Sequence, residues 1–116
     1  MKILDLRNVS WGNAVKAVFS CQITVQTPNN QTVNFIIKDL KLIDGSQGLF
    51  VASPSVKYQK DGEDKYKNVL DFTPEFQSMI TEEIGRHYDA SQEPNKVYSD
   101  KIEYKAQKLT ENEIPF

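Results

Sequence analysis

The chain has 116 residues, 39% hydrophobic and 26% charged, a composition typical of one soluble globular domain. No apolar run approaches the roughly 20 residues of a membrane-spanning helix, and charges among the first five residues argue against a secretory signal, so we expect a cytoplasmic protein. A single cysteine and a single histidine exclude an internal disulfide and leave no cluster for a structural zinc site. We therefore expect neither a metal nor a cofactor.

The charge is divided unevenly along the chain. Residues 1–70 carry nine Lys/Arg against six Asp/Glu, whereas residues 71–116 carry five against ten. A basic front and an acidic back are typical of a polyanion binder whose own acidic end competes for the site. An uneven but solvated surface explains the same numbers, so charge leaves both readings open.

The first half of the chain reads as strands. Residues 2–9 form a short apolar segment, and apolar residues then alternate with polar ones from Val15 to Val25, which predicts a long half-buried strand. After a turn at residues 27–30 the alternation returns, but it changes parity between Ile37 and Leu40. This shift predicts a β-bulge near residues 38–39, of the kind that curls a sheet.

The second half contains a hairpin and one helix. The glycines of residues 45–48 predict a tight turn with positive φ, residues 49–52 a fourth strand, and the Asp61-Gly62 step a protruding hairpin. Thr73 and Pro74 are typical of a helix N-terminus, while residues 96–109 fit either a helix or a strand. The expected fold is mainly β with one helix (α+β). It comprises a curled antiparallel sheet with a covering helix over residues 1–90, with a variant of the OB barrel as one form, followed by an arm and tip over residues 91–116.

The chemistry of an enzyme is missing from the chain. The glycines of residues 45–48 lack the third glycine and the Lys-Ser/Thr of a nucleotide-binding loop. His87 lies near the end of the predicted helix, where packing explains it, and Cys21 falls on the inward side of the long strand. The aspartates lie in or beside turns, where aspartate is common. We expect a protein without catalytic activity.

The predicted hairpin carries the best binding signal. Lysines contact phosphates, and aromatic rings stack on unpaired bases at about 1 to 3 kcal/mol per base. The competing interpretation of the hairpin is an exposed, solvated element without a binding role. The competing interpretation of Trp11 is a side chain that plugs the end of the sheet. The candidate nucleic-acid-binding residues, including strand lysines that would follow a phosphate backbone, are Trp11, Lys16, Lys41, Phe50, Lys57, Tyr58, Lys60, Lys65, Tyr66 and Lys67.

Residues 39–55, which read DLKLIDGSQGLFVASPS, resemble the core signature of the SpoVG family (stage V sporulation protein G). The family pattern is Asp-Ile-Arg-Val-Ile-Asp-Gly-x-x-Gly-Leu-Phe-Val-Ala-Met-Pro-Ser-Lys, from which the chain departs at Ser53 and at Val56. The likeness extends loosely through the hairpin and into the helix. It implies a small antiparallel sheet with a packed helix, usually dimeric, in a nucleic-acid-binding regulator.

The last residues resemble a second family. The acidic tip Glu111, Glu113, Ile114, Pro115 and Phe116 is similar to that of bacterial single-stranded DNA-binding proteins, which end in Asp-Ile-Pro-Phe. In that family the tip docks on replication and recombination enzymes, with the phenylalanine ring in an apolar hole. The resemblance implies a partner-binding role for these five residues, and a packed chain end is the alternative.

Together these features predict a non-catalytic single-stranded DNA-binding protein, similar to small bacteriophage proteins of DNA replication and recombination. It would bind without strong sequence preference, recruit partner enzymes through its tip and assemble as a homodimer or homotetramer. The alternative is a SpoVG-type regulator that binds duplex DNA or RNA, and a third possibility is a protein-interaction module without affinity for nucleic acid.

Overall fold

The computed structural model describes residues 1–102 of the chain. In order, its elements are the strands β1 (Lys2–Asn8), β2 (Val15–Gln26), β3 (Thr32–Gly45), β4 (Gly48–Val51), β5 (Ser55–Lys60) and β6 (Glu63–Asn68), and the helix α1 (Pro74–Gly85). The prediction of a mainly β fold with one helix is confirmed. In this part of the chain no helix has the length and apolar character needed to cross a membrane.

The strands form two antiparallel sheets. β1 to β4 pair in sequence order, and β5 pairs only with β6. The four-stranded sheet stays open, so the barrel form is not adopted. The chain leaves β4 after four residues, and the outer edge of β1 is occupied by residues 94–100 instead of another strand.

The core lies between the four-stranded sheet and α1. The side chains that the sheet and the helix direct at each other are fully buried, and each contributes on the order of 1.5 to 3 kcal/mol relative to exposure. They include Leu6, Phe19, Leu40, Leu42, Val51, Ile80 and Ile84. At the start of the helix, Thr73 Oγ1 accepts a hydrogen bond from the amide of Phe76 at 3.2 Å, which confirms the predicted N-cap.

The helix also covers the free edge of β4. The amide of Val51 donates to Thr81 Oγ1 at 3.2 Å, and Gln77 Nε2 donates to the Val51 carbonyl at 2.9 Å. Side chains of α1 therefore satisfy backbone groups that an unprotected edge strand would expose.

Two bulges bend the sheet. Asp39 has a φ of 58° where the β2–β3 register shifts, and its amide donates to Ser20 Oγ at 3.3 Å. This confirms the predicted bulge. Asp5 has a φ of 51° at a second shift, between Leu4 and Arg7 in β1, which the sequence analysis did not predict. Both positions use an aspartate, one of the few side chains that tolerate this backbone region.

Residues 94–102 run along β1 as an irregular arm. The amides of Asp5 and Tyr98 donate to the carbonyls of Asp100 and Leu6 at 2.8 and 3.0 Å, and Asn95 donates to Asn8 at 2.7 Å. The described part of residues 96–109 is thus extended and neither a helix nor a regular strand.

The tight turn between β3 and β4 uses its two glycines differently. Gly48 has a φ of 112°, as predicted, but Gly45 does not lie in the positive-φ region. A Cβ at Gly45 would lie 2.7 Å from Cε1 of Phe50, so any other residue at this position would displace the Phe50 ring, which packs on the Gly45 backbone.

Candidate nucleic-acid interface

The β5–β6 hairpin is the most exposed element of the molecule. All twelve of its strand residues are exposed, and they pair in continuous register from Ser55 with Asn68 to Lys60 with Glu63. Asp61 and Gly62 have φ values of 55° and 79°, the two positive values that a type I′ turn requires. The hairpin and its Asp-Gly turn are therefore formed as predicted.

The register separates the hairpin into two different faces. Directly paired residues of an antiparallel ladder share a face, and successive pairs alternate. We call one side the basic face, because it holds three lysines against one glutamate: Val56, Tyr58, Lys60, Glu63, Lys65 and Lys67. The other side, the neutral face, holds Ser55, Lys57, Gln59, Asp64, Tyr66 and Asn68. Within the basic face, Tyr58 lies directly opposite Lys65.

Asp64 neutralises its face. Its carboxylate lies 3.0 Å from Lys57 Nζ and also accepts from Gln59 Nε2 at 3.3 Å. On the basic face, Lys65 lies 3.9 Å from Glu63, a longer and exposed contact of little energetic weight. The candidate lysines are thus not equivalent, since Lys57 has a close carboxylate partner and the basic face keeps an excess of positive charge.

A second group of cations lies on the sheet face opposite α1. Arg7, Val18 and Lys41 are paired across β1, β2 and β3, so their side chains form one row. Lys41 also lines a cleft of about 410 Å³ together with Ser55, the first residue of the hairpin. Arg7 was missed in the sequence analysis, because its place in this row depends on the bulge at Asp5.

Lys16 is an exposed residue of β2, but it lies where the β2–β3 register shifts between Val15 and Ala17. Its carbonyl accepts a hydrogen bond from the amide of Val9 at 3.1 Å. Lys16 thus lies at the same end of the sheet as the Arg7–Lys41 row without pairing into it.

The two remaining aromatic candidates occupy different environments. Trp11 lies in the loop between β1 and β2 with 51% of its surface exposed, so it does not plug the end of the sheet. Phe50 packs on Gly45 and lines a cleft with Gln77 and Thr81 of α1. The structure therefore leaves Trp11 accessible for stacking, whereas Phe50 is engaged with the helix side of the sheet.

The two residues considered for catalysis lie in surroundings of different kinds, one buried in the core and the other at the end of the helix. Cys21 is fully buried, and burial raises the pKa of its thiol to about 11. His87 follows the end of α1, where its Nε2 lies 3.3 Å from Glu83 Oε1. Within residues 1–102, no three His, Cys, Asp or Glu side chains are grouped so as to hold a metal ion.

The predicted partner-binding tip, Glu111, Glu113 and Ile114 to Phe116, lies outside the described residues.

Comparison with known proteins agrees with the core signature. The model of the SpoVG family matches residues 1–90. A septation protein SpoVG of Myxococcus xanthus is 40% identical over 63 residues, which cover 50% of this chain and 61% of that protein. A septation protein SpoVG 1 of Listeria monocytogenes is 33% identical over 97 residues, covering 81% of this chain and 84% of that protein. A SpoVG 1 of Listeria innocua matches to the same extent.

No solved structure matches the chain significantly. The family model nevertheless spans both sheets and the helix, including the hairpin with its two faces. On this basis, the chain belongs to the SpoVG family.

Proposed function

We propose that this SpoVG-family chain is a non-catalytic regulator that binds nucleic acid through the basic face of its β5–β6 hairpin. The observation that carries the proposal is the placement of Lys60, Lys65 and Lys67 around the exposed ring of Tyr58 on one side of an exposed ribbon. Directly paired side chains have Cβ atoms about 4.5 to 5.5 Å apart, so ring and ammonium groups meet the same ligand. The lysines contact phosphates while the ring stacks on a base.

The first candidate ligand is single-stranded DNA, bound without strong sequence preference. Stacking on Tyr58 requires an unpaired base, and 40% of this side chain is exposed. The row of Arg7 and Lys41 offers further positive charge on the sheet, where Lys41 shares a cleft with Ser55 at the start of the hairpin. Trp11, which is half exposed, offers a second stacking surface.

The second candidate ligand is duplex DNA, and the shape of the hairpin favours it. The major groove of B-DNA admits a two-stranded β-ribbon, and β5 and β6 form such a ribbon with lysines on both faces. In that mode the lysines contact both walls of the groove and the tyrosine rings have no stacking role. RNA in the A form has a deep, narrow major groove that excludes the ribbon, so RNA would be bound as a single strand.

The experiment that tests the proposal compares labelled oligo-dT, a matched duplex and oligo-U by fluorescence anisotropy at several salt concentrations. Preference for single strands supports the first candidate, with a log-log salt slope of about -0.7 per phosphate contact. A stronger affinity for the duplex, with a slope near -0.9 per contact, supports the ribbon mode. If none of the three is bound, the proposal fails and a protein-interaction module takes its place.

The relatives' names indicate septation as the cellular process, and we extend that process to this chain.

Recruitment of replication or recombination enzymes by residues 111–116 is the further part of the proposal that rests on the C-terminal resemblance. Deleting Ile114 to Phe116 should leave DNA binding intact or tighter and abolish capture of such an enzyme. Equal capture by the deleted protein would remove the tip from the proposal.

We also propose that the chain acts as a homodimer or homotetramer. An isolated two-stranded hairpin is marginally stable in water, and apolar groups are exposed on this one at Val56 and directly after it at Val69, with 43% and 59% of their surfaces accessible. Sedimentation equilibrium of the whole chain tests this expectation, because a monomer at micromolar concentration would contradict it.

A further inference from the structure

A cleft of about 670 Å³ opens on the sheet face opposite α1, at the far end from the Arg7–Lys41 row. Lys2, Gln22 and Ile36 are paired across β1, β2 and β3 and form its floor. Asn34 of β3, which is paired with Thr24 on the same face, and Lys101 of the C-terminal arm complete the lining that matters here. We call this feature the sheet cleft, and its volume lies in the range of small-ligand sites.

The polar groups of the sheet cleft match the edge of a nucleobase. The Gln22 carboxamide makes no hydrogen bond within residues 1–102, so both its donor and its acceptor are available. Asn34 Oδ1 accepts from Thr24 Oγ1 at 2.6 Å, which orients this carboxamide and leaves its NH₂ group as a donor. Carboxamides are among the side chains that bind base edges in pairs of hydrogen bonds.

The apolar and charged groups suit the rest of a nucleotide. Ile36, which is half-buried, offers an apolar surface on which one face of a base can pack. Phe35 is paired with Ile23 and belongs to the α1 face, where it lines another cleft with Phe72 and Phe76. Lys101 contributes an ammonium group, and Lys2 a second one that lies 3.6 Å from Asp100 in an exposed and therefore weak pair. The apolar floor, two carboxamides and two cations together match the face of the base, its edge and its phosphates.

We infer that the sheet cleft binds one unpaired nucleotide of a single-stranded nucleic acid, an inference that rests on the proposed function and names a subsite for it. The base edges of a duplex are paired and stacked, so an intact duplex cannot insert one into a cleft. From Gln22 to Val18 the strand advances four residues, so the Arg7–Lys41 row lies roughly 13 Å from the sheet cleft. Lys41 in turn shares a cleft with Ser55, the first residue of the hairpin.

The test uses the full chain and two labelled probes, an oligo-dT and the same oligomer with abasic sites in place of its central bases. Gln22→Leu removes the carboxamide at nearly constant size, and Lys101→Gln removes one charge. The matched controls are Gln31→Leu, in the exposed β2–β3 turn, and Lys96→Gln, at an exposed position outside the cleft. Circular dichroism of each variant checks that the fold is retained.

The wild type should bind oligo-dT about tenfold or more tightly than the abasic probe, since a well-placed base contact discriminates by roughly 1 to 3 kcal/mol. Gln22→Leu should weaken oligo-dT binding and reduce the difference between the probes, since stacking on Tyr58 still distinguishes them, whereas Gln31→Leu preserves the full difference. Lys101→Gln should weaken both probes and reduce the salt slope by about 0.7, unlike Lys96→Gln.

The outcomes separate the cleft from the proposed function. The inference is overturned if Gln22→Leu and Lys101→Gln bind oligo-dT with wild-type affinity while Tyr58→Ala binds it more weakly. The hairpin then remains as the site. A wild-type chain that binds no nucleic acid overturns both. If Gln22→Leu fails to fold, the side-chain NH₂ resonances of Gln22 and Asn34 in the wild type decide instead. They should shift with oligo-dT and not with a duplex, and unchanged resonances overturn the inference.

Discussion

Tyr58 and Tyr66 lie on opposite faces of the β5–β6 hairpin, the former directly across from Lys65 and the latter from Lys57. Adjacent aromatic and cationic residues on two paired arms suggest one shared stacking surface. The alternation of side chains across the ladder makes two surfaces, of which only one retains an excess of positive charge. This relationship decides which substitutions should affect nucleic-acid binding.

Tyr58→Ala should weaken binding of oligo-dT by about 1 to 3 kcal/mol, because it removes a stacking ring from the basic face. Tyr66→Ala is its matched control, since it deletes the same side chain from the face where Asp64 neutralises Lys57. Anisotropy titrations of both variants at one salt concentration measure the difference. Equal losses would mean that the nucleic acid contacts both faces, as in the ribbon mode.

Asp64→Asn should tighten duplex binding and make its salt slope steeper by about 0.9, because the ribbon mode contacts both faces and the substitution releases Lys57 from a carboxylate 3.0 Å away. Glu93→Gln removes the same charge at an exposed position outside the hairpin. Salt titrations of both variants compare the release of Lys57 in Asp64→Asn with the general loss of one negative charge in Glu93→Gln. An identical gain in the two would attribute the effect to net charge alone.

Tyr98→Phe should lower the free energy of unfolding by about 1 to 3 kcal/mol. The Tyr98 hydroxyl donates to Asn8 Oδ1 at 2.7 Å and accepts from the amide of Asp89 at 3.2 Å, while Asn8 Nδ2 donates to the Asp89 carbonyl at 2.7 Å. Asn8 is buried, so losing the hydroxyl leaves an unsatisfied acceptor. Urea unfolding measures the change, and Tyr66→Phe, whose ring is exposed, should have almost no effect. A neutral Tyr98→Phe would show that this network does not hold the arm to β1.

The Cys21 thiol should not react with a water-soluble disulfide reagent at pH 8 in the native protein and should react at once in urea. Burial raises its pKa from 9.0 to about 11, and the thiolate is the reactive form. Because the pKa is higher in the folded state, the neutral thiol stabilises the fold below pH 9, and this contribution is lost as the pH rises toward 11. Thiol titration and urea unfolding at pH 8 and pH 10 measure both effects. Cys21→Ala serves as the control for the pH-dependent part, and rapid native labelling would contradict the buried position.

The elements that sequence predicts well here depend on near neighbours. The period-two pattern of β2, the parity change at the Asp39 bulge, the Asp-Gly turn of the hairpin and the Thr73 N-cap each follow from a few adjacent side chains. Each local pattern has one favoured backbone geometry, so no distant contact is needed to predict it. The family signature of residues 39–55 has the same local character.

The arm, the second bulge and the sheet cleft depend on contacts far apart in sequence. Residues 96–109 have an ambiguous period, and their described part, residues 96–102, follows the edge of β1 through single bridges beside the bulge at Asp5. Gln22, Lys2 and Lys101 come together only through that pairing, and Arg7 joins Lys41 only through the register of three strands. Sequence alone determined the strands, the hairpin turn, the helix start and the family. The tertiary structure decided which side chains share a face or a cleft, because strand register and edge pairing arise from long-range packing that no local pattern encodes.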